Sequence, residues 1–509
     1  MNRNTNRKKM ILKASFISAF VFFLQGILNI IRTGYIIKIY GSSINGVISL
    51  SQQIFNYLVL LESGLGAAYL YKMYEPMAKK NYKKVKALFL GLTKSLKKIA
   101  VSMFIIMALI SIIYPLIINK ESLTYLQITI ILLLLGIRFI IPYYLTINQK
   151  NLLYIYEEKY IVDFIDGIAN SIIILIEIIL MKVYSVNIIF VLLLGIIGVL
   201  IINYIYTIVL KKRCNEVLIE DSNPSFEGQT MTKDIVIHQI SSVVFSSTDN
   251  IILSIFDTLN SVTIYSAYNT ILTYPTTLIN KIIDNLRATF GKKMINDEKN
   301  TIKLFYETLS FTLFLATFLA PLFYILINDF ISLWIGSSFT LNKYCIIIWT
   351  LLFIHRIIMP VIYVLRDSKG LYKESKYYTL TQAIANIIIS LILIKSLGIL
   401  GLLIGTIIST YMILIPCNYI LVSKKILHEK TKLFKYLGTT LIYVMFIIVI
   451  IAKINILLFS SYSLNWFNFI FKALIDVCLV LPISLSLLLL NSNFRNLIKR
   501  FLPNKMNKK

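Results

Sequence analysis

The pentapeptide Arg138-Phe139-Ile140-Ile141-Pro142 returns, 218 positions later, as Arg356-Ile357-Ile358-Met359-Pro360. Two further segments recur in the same order at offsets of 216 and 215: Ile168-Ala169-Asn170 as Ile384-Ala385-Asn386, and Asn203-Tyr204-Ile205 as Asn418-Tyr419-Ile420. Each match alone means little in a chain rich in isoleucine and tyrosine. Three matches in one order at a nearly constant offset indicate an internal duplication.

The composition predicts that lipid is the solvent for most of this chain. Of the 509 residues, 57% are hydrophobic, and the mean hydropathy is +0.77. Apolar stretches long enough to cross a hydrocarbon layer of about 30 Å recur along the whole length. We predict an all-α polytopic membrane protein with about fourteen spans. They lie near 14–39, 45–71, 99–119, 123–147, 160–181, 187–210, 235–256, 262–286, 304–328, 342–365, 378–396, 398–421, 434–452 and 469–490.

The basic residues predict the orientation of these spans. The net charge is +27, and most of the 51 lysines and arginines fall in alternate connections between apolar spans. Such an asymmetry places those connections and both termini in the cytoplasm, and it argues against nucleic-acid binding. The longest of these cytoplasmic connections is predicted at 72–98. The first span is too long for a signal-peptide core and is interpreted as a retained helix.

The repeat offset predicts how the two copies are related. An offset near 216 covers six spans, and an even number means that both copies cross the membrane in the same direction. We therefore predict two parallel six-helix lobes, residues 1–213 and 235–425. Residues 214–234 form a cytoplasmic linker between them. Spans thirteen and fourteen and a basic tail, residues 426–509, stand outside the repeat.

Arg138 and Arg356 are the strongest candidates for a substrate site, because the repeat places them at equivalent depth in the two lobes. A charge inside the membrane costs several kcal/mol and usually faces a cavity or a partner. Each arginine precedes a proline by four residues, which frees a carbonyl one turn back and permits a bend. A guanidinium suits a phosphate because it is planar, permanently charged and bidentate. The alternative is that each arginine pairs with a carboxylate or carbonyl of its own lobe.

Arg32 and Asp249 are also nearly equivalent in the repeat. They could form a salt bridge at the outer rim, or Arg32 could serve the substrate and Asp249 a coupling cation, or both could be structural. Glu62 lies beside small residues that allow close helix packing, and its carboxylate is a candidate proton or gate site.

Polar side chains in the first two spans are candidates for hydrogen bonding to the substrate, with interhelical bonding as the alternative: Gln25, Asn29 and Gln52. Lys472 and Asp476, one turn apart in the last span, are predicted to form a local ion pair. The four cysteines lie far apart and provide no disulfide framework or metal-ligand spacing.

No catalytic constellation and no phosphate-cradling glycine-rich loop occurs in the sequence. We therefore expect a protein that is not an enzyme, needs no cofactor, and takes its energy from an ion gradient, the membrane potential or product removal.

Several segments resemble the bacterial polysaccharide repeat-unit flippases of the multidrug/oligosaccharidyl-lipid/polysaccharide exporter superfamily. The segments that carry this resemblance are residues 366–373, 383–386 and 398–406, together with Tyr40-Gly41, Ile44-Asn45-Gly46 and residues 62–66. The resemblance covers essentially the whole chain, including the number of spans.

The resemblance implies two six-helix lobes around a central cavity, with alternating access. It implies an undecaprenyl-diphosphate-linked oligosaccharide as cargo, moved from the cytoplasmic to the outer leaflet of the bacterial cell membrane for surface polysaccharide assembly. In relatives that flip lipid-linked peptidoglycan precursors, cavity arginines meet the pyrophosphate, which makes Arg32, Arg138 and Arg356 candidates here. Membrane lipids, a polysaccharide polymerase and glycosyltransferases are the expected partners, and the chain is expected to act as a monomer.

The sequence leaves three alternative functions open. A drug/cation antiporter of the same superfamily would favour carboxylates and aromatic residues over intramembrane arginines. A membrane polysaccharide polymerase or ligase would be expected to expose a large outer loop, and the longest predicted outer loop, 453–468, contains no carboxylate or histidine. A structural scaffold would leave the intramembrane arginines unexplained.

Overall fold

A computed structural model describes residues 2–62, 64–118, 122–184, 186–227, 233–429, 431–459 and 463–501. Within these ranges the chain is helical, with no strand, which confirms the predicted all-α class. The helices are α1 (Asn2–Tyr40), α2 (Ser42–Val59), α3 (Leu65–Ala78), α4 (Tyr82–Ile117), α5 (Tyr125–Leu145), α6 (Ile147–Ile155), α7 (Lys159–Tyr184), α8 (Ile188–Arg213), α9 (Asn215–Leu218), α10 (Lys233–Ser247), α11 (Asp249–Phe256), α12 (Leu259–Asn296), α13 (Glu298–Trp334), α14 (Lys343–Ser368), α15 (Tyr372–Leu397), α16 (Ile399–Ile408), α17 (Ile415–Val422), α18 (Lys432–Leu458), α19 (Trp466–Leu489) and α20 (Ser492–Phe501).

Eleven helical stretches within the described ranges are long and apolar enough to cross a membrane. Three other predicted spans are also helical but are not continuous apolar helices: 45–71, 235–256 and 262–286. The first is broken between α2 and α3, where Gly64 adopts a left-handed conformation with φ of 75°. The second is broken at Thr248, between α10 and α11. The third forms the middle of the long α12, which contains many polar residues.

The connection predicted at 72–98 is built mainly from helix, and its cytoplasmic position stays a prediction. Helix α3 continues to Ala78 and α4 begins at Tyr82, so this region is largely helical. The Asn81 side chain accepts a hydrogen bond from the Lys84 backbone N–H at 3.0 Å and caps α4. Lysine is a good helix former, which lets α4 extend beyond the apolar layer. Its 36 residues span about 54 Å at 1.5 Å per residue.

The chain divides into two compact units, Met1–Ser266 and Ala267–Lys509. Helices α10 and α11 thus belong with the first unit, where polar side chains bond them to α2. The Asn56 Nδ2 donates to Ser247 Oγ at 3.0 Å, and the Tyr57 and Thr248 hydroxyls lie 2.6 Å apart. The lobe boundaries predicted from the repeat stay a prediction.

The visible part of the predicted linker is fixed to the first unit. The Ser225 backbone N–H donates to the Ala87 carbonyl at 2.8 Å, and Lys86 Nζ donates to the Leu218 carbonyl at 2.9 Å. Gly91 makes this approach feasible, because a Cβ atom there would lie 1.8 Å from the Ser225 carbonyl oxygen. Residues 219–227 therefore follow α4 closely. Residues 228–232 lie outside the described ranges.

The last two membrane helices correct a predicted ion pair. Lys472 does not pair with Asp476. Its Nζ lies 2.8 Å from Asp329 Oδ2 of α13, while Asp476 accepts a hydrogen bond from Asn455 of α18 at 3.2 Å. A same-helix pair contributes only a few tenths of a kcal/mol, whereas buried polar groups must be satisfied by the helices they face. The two side chains therefore join α19 to two different neighbours.

Candidate functional site

A buried carboxylate lies between two arginines in the first unit. The Glu177 side chain, on α7, is 0% exposed. Its Oε2 lies 2.5 Å from Arg32 Nε of α1, and its Oε1 accepts a hydrogen bond from Arg138 Nη1 of α5 at 2.8 Å. We call these three residues the arginine cluster. It brings together two of the sequence-predicted site residues, Arg32 and Arg138, which are joined by the Glu177 carboxylate.

The packing of α1 on α7 places Arg32 beside Glu177. Val21, Gln25, Leu28 and Arg32 follow each other at spacings of three or four residues and share one face of α1. At one end of this face, Gly167 leaves room for Val21, since a Cβ atom on Gly167 would lie 1.9 Å from Val21 Cγ1.

In this structure the side chains of Gln25 and Asn29 donate hydrogen bonds to backbone carbonyls of α7 and α1. The Gln25 Nε2 donates to the backbone carbonyls of Asp166 and Gly167 at 3.3 and 3.2 Å. Asn29 Nδ2 donates to the Gln25 carbonyl of its own helix at 2.9 Å. Gln25 thus makes interhelical hydrogen bonds in this structure, and its role toward the substrate stays a prediction. Gln52 is exposed on α2.

The orientation of Arg138 depends on its neighbour and on a glycine. Phe139 stacks on Phe55 of α2, with ring centroids 4.4 Å apart and planes 5° from parallel. Successive residues on a helix point about 100° apart, so Arg138 is turned away from α2. It meets α8 at Gly195, where a Cβ atom would lie 2.2 Å from Arg138 Nη1. Gly195 thus makes the space that the guanidinium occupies.

The arginine cluster has one net positive charge. Its carboxylate is fully enclosed, while the Arg32 and Arg138 side chains are 14% and 21% exposed. A guanidinium carries five N–H donors, and Arg138 gives one hydrogen bond to the described residues. The remaining donors of Arg138 and its partial exposure make this group suitable for binding an anion.

Arg356, the repeat counterpart of Arg138, has a different environment in the second unit. Its Nη1 donates to Asn269 Oδ1 of α12 at 2.8 Å. Its guanidinium carbon lies 5.8 Å from the centroid of the Trp349 ring, which is within the range of a cation–π contact. An amide oxygen and an aromatic face therefore hold this arginine in place.

Glu62 lies in the break between α2 and α3. Its Oε1 accepts a hydrogen bond from the Gly66 backbone N–H at 3.3 Å, at the amino-terminal end of α3. A carboxylate is favoured there because the first backbone N–H groups of a helix point toward it. The site is tight, since a Cβ atom on Gly66 would lie 2.9 Å from Glu62 Oε1 and 3.4 Å from Asn151 Nδ2.

Asp249 begins α11 and is 6% exposed. Its Oδ2 accepts a hydrogen bond from the Tyr265 hydroxyl of α12. The next residue, Asn250, donates from Nδ2 to Ser266 Oγ at 3.1 Å. Arg32, its near-counterpart in the repeat, contacts Glu177, and the roles considered for Arg32 and Asp249 stay predictions.

Other reactive side chains in the described ranges form no second site. All four cysteines are free thiols, and burial raises the pKa of Cys214 to about 12, so this thiol stays protonated. No group of three or more histidine, cysteine, aspartate or glutamate side chains that could hold a metal ion occurs in the described part of the chain.

Solved structures share this fold over 79% to 95% of the chain. The lipid II flippase MurJ, in an inward closed conformation, matches with a TM-score of 0.71 and 15% identity, covering 95% of this chain and 100% of MurJ. The chain therefore has the fold of this flippase structure. An inward-facing MATE-family multidrug resistance transporter of the MOP superfamily matches at 0.60 and 11% identity over 79% of this chain and 96% of its own. The MATE multidrug transporter DinF-BH matches at 0.55 and 14% identity, covering 82% and 95%.

No protein-family model matches the chain, and no curated protein matches it. The similarity to MurJ and the MATE transporters confirms the fold that the resemblance in the sequence implies. At these identities it carries the fold alone. The cargo and the roles of individual residues are therefore argued from the chain's own side chains.

Proposed function

We propose that this MOP-fold chain is a flippase. In this proposal it moves an undecaprenyl-diphosphate-linked oligosaccharide from the cytoplasmic to the outer leaflet of the bacterial cell membrane, by alternating access and with both termini in the cytoplasm. The observation that carries the proposal is the arginine cluster, which holds one net positive charge among membrane helices. The fold supports a transport role, and the cluster supports an anionic head group as cargo.

The chemistry of this cargo matches what a membrane protein with a cationic site can supply. Removing water from a hydroxyl without a replacement hydrogen bond costs about 1–3 kcal/mol, so an oligosaccharide cannot cross lipid unaided. The polyprenyl tail can stay in the lipid. The protein then needs polar side chains for the sugars and cations for the diphosphate, and a guanidinium binds phosphate oxygens bidentately.

In this mechanism Glu177 acts as a resident anion. It compensates both guanidiniums while no cargo is bound, because uncompensated charges inside the membrane are costly. A diphosphate entering beside Arg138 supplies negative charge to the exposed side of that guanidinium. Glu177 meanwhile holds the other side and fixes its orientation. The cluster therefore offers an ordered cation rather than a flexible one, which reduces the entropy lost on binding.

Glu62 and Asp249 are proposed as the coupling or gating carboxylates. Each lies at the start of a helix that follows a break, α3 for Glu62 and α11 for Asp249. Breaks of this kind supply backbone groups that are not committed to one helix and can rearrange during transport. Protonation of either carboxylate would change the contacts that hold the break, namely Gly66 N–H for Glu62 and the Tyr265 hydroxyl for Asp249.

The second candidate is a drug/cation antiporter, which the same fold supports equally well. One observation favours it: Asp249 is a buried carboxylate bonded to a tyrosine hydroxyl, a combination suited to an organic cation. The two candidates differ in the sign of the cargo. The net positive charge of the arginine cluster favours an anion.

Reconstitution tests the choice directly. The purified chain is placed in liposomes containing an undecaprenyl-diphosphate-linked oligosaccharide, and exposure of the sugar to an added glycosidase is followed with time. We expect faster exposure than in protein-free liposomes, and loss of this gain in Arg138→Ala. Arg213→Ala is the matched control, because Arg213 also pairs with a glutamate, at 3.2 Å, but is 49% exposed. Transport of a cationic dye with no effect on the lipid would contradict the proposal and support the antiporter.

A further inference from the structure

A cavity of about 380 Å³ lies in the second unit, lined mainly by residues that follow the predicted repeat. Its wall comes from α13, from the first turns of α18 and from the junction of α19 with α20. The polar lining includes Lys432, Lys435, Tyr436, Thr439, Asn491 and Ser492. Leucines of α13 and α19 form the apolar part of the wall. A cavity with a polar side and an apolar side fits an amphiphile.

The two lysines give the polar side a positive charge. Lys432 Nζ lies 3.2 Å from Glu429 Oε1 and 4.0 Å from the centroid of the Tyr306 ring, so it is held in place and partly compensated. Lys435 lies three residues further along α18 and is exposed. It has no ion-pair partner within the described ranges. The pair therefore offers one fixed cation and one uncompensated cation on adjacent turns of a helix.

The short α20 places this charge at the membrane surface. Phe494 is buried and packs against Phe314 of α13 with ring centroids 5.6 Å apart, while Arg495 and Lys499 are exposed. Asn493 Nδ2 donates to the Tyr436 hydroxyl at 2.6 Å and joins α20 to the wall of the cavity. A helix with one apolar face and one basic face lies in the interfacial plane at head-group depth. Basic residues predict that this is the cytoplasmic surface.

We propose that this cavity binds the head group of an anionic glycerophospholipid. Its phosphate lies between Lys432 and Lys435, its polar head-group atoms face Thr439 and Asn491, and its acyl chains follow the leucines of α13 and α19. Basic pockets between membrane helices on the cytoplasmic side bind acidic lipid head groups in this way. The site shares no residue with the arginine cluster and does not depend on which cargo the protein carries.

Native mass spectrometry of the detergent-purified full chain tests this site. Dioleoyl-phosphatidylglycerol is titrated against the chain, with dioleoyl-phosphatidylcholine as the zwitterionic comparison. We expect preferential binding of phosphatidylglycerol. Lys435→Ala is expected to weaken it about fivefold and Lys432→Ala with Lys435→Ala about thirtyfold, the ratios to which about 1 kcal/mol per basic residue converts. Lys435→Arg should retain the affinity.

The control is the double variant Lys424→Ala, Lys425→Ala. It removes the same charge from two exposed lysines that do not line the cavity, and it should leave the affinity unchanged within about twofold. Equal losses in the control and in the cavity variant would overturn the proposal, because the attraction would then be diffuse. Displacement of phosphatidylglycerol by inorganic phosphate at equal concentration would overturn the lipid as ligand and identify a free-phosphate site. Lys435 is exposed, so Lys435→Ala is expected to keep its thermal unfolding midpoint.

Discussion

The same short motif has produced two different environments in the two halves of the chain. Arg138 and Arg356 both stand four residues before a proline, and both donate from Nη1 over 2.8 Å. The acceptor is a buried carboxylate for Arg138 and a neutral amide oxygen for Arg356. The helices differ too: 39% of the membrane-spanning window of α5 is buried, against 72% for α14. The repeat therefore sets where an arginine stands, and residues outside the motif set what it contacts.

The sequence shows why the partners differ. At an offset of 216, the counterpart of Glu177 is Leu393, and at 215 the counterpart of Gly195 is Thr410. The second copy thus lacks both the carboxylate that holds Arg138 and the glycine that makes room for its guanidinium. The sequence therefore places a cluster of this design in the first copy and not at the counterpart positions of the second. We infer that the two arginines have diverged, with Arg138 in the cargo site and Arg356 held by Asn269 and Trp349.

The largest expected effect comes from making the first copy resemble the second. Glu177→Leu installs the residue found at the counterpart position and leaves two guanidiniums without their carboxylate. Removing one partner of a buried ion pair costs about 3–5 kcal/mol, so we expect a lower thermal unfolding midpoint in detergent and loss of flipping. Asn269→Leu, in the second unit, should cost less, about 1.5–3 kcal/mol, because it removes one hydrogen bond to a charged group. The reverse order of the two midpoints would contradict the difference between the copies.

The next effect distinguishes a role in cargo binding from a role in helix packing for Arg138 and Arg356. Arg138→Ala and Arg356→Ala are each expected to stop polymer export in cells while the protein still inserts, with export measured by surface polysaccharide and insertion by the amount of protein in the membrane fraction. We expect Arg138→Ala to act through cargo binding and Arg356→Ala through the packing of α12 and α14. Arg356→Ala should therefore lower the unfolding midpoint more than it lowers affinity for the cargo. Full export in both variants would refute the assignment of either arginine.

A smaller effect tests the space beside Arg138. Gly195→Ala places a Cβ atom 2.2 Å from Arg138 Nη1 and should displace the guanidinium, reducing flipping about tenfold, which corresponds to about 1.4 kcal/mol. Gly198→Ala is the matched control on the same helix, because its Cβ would clash to a similar degree, 2.5 Å from Ile173 Cδ1, with an apolar side chain outside the arginine cluster. Equal flipping activity of the two variants would show that the space at Gly195 does not determine how Arg138 is positioned for flipping.

The smallest effect concerns the uncharged part of the same helix interface. Gln25→Leu removes two interhelical hydrogen bonds of 3.2 and 3.3 Å between α1 and α7. We expect a loss of about 1 kcal/mol in unfolding free energy and a flipping rate within about twofold of the unmodified protein. A large loss of flipping with unchanged stability would instead return Gln25 to the substrate site.

The sequence was sufficient to predict the all-α membrane architecture and to select Arg32 and Arg138 as candidates, but not to predict the residues that they contact. Periodic apolar stretches and a duplicated motif predict an all-α membrane protein and place Arg138 and Arg356 at equivalent positions. The partner of Arg138 is 39 residues away on another helix, and no local propensity specifies which face of α7 packs on α5. A glycine within an apolar helix, such as Gly195, indicates that another group approaches the helix closely there. The sequence does not say which group, and the structure shows that it is Arg138.

The helix breaks illustrate the same limit. A long apolar stretch predicts one span at 45–71, yet the chain ends α2 at Val59 and restarts at Leu65. Gly64 permits the turn, but a glycine also occurs inside unbroken helices such as α8, so its presence alone decides nothing. Lys472 likewise has a carboxylate one turn away in sequence and a better-placed one, Asp329, on α13. In both cases the local sequence allows two outcomes, a continuous or a broken helix and one of two carboxylate partners, and tertiary packing determines which one forms.

The central claim is that the arginine cluster binds the diphosphate of a lipid-linked cargo. Its most direct test is the affinity of the purified chain for an undecaprenyl-diphosphate-linked oligosaccharide, measured by native mass spectrometry for the unmodified protein, Arg138→Ala and the surface control Arg213→Ala. We predict that Arg138→Ala binds at least about tenfold more weakly, a loss of about 1.4 kcal/mol, while Arg213→Ala binds as the unmodified protein does. Unchanged affinity in a folded Arg138→Ala variant would contradict the claim and leave Arg138 as a brace between α5 and α7.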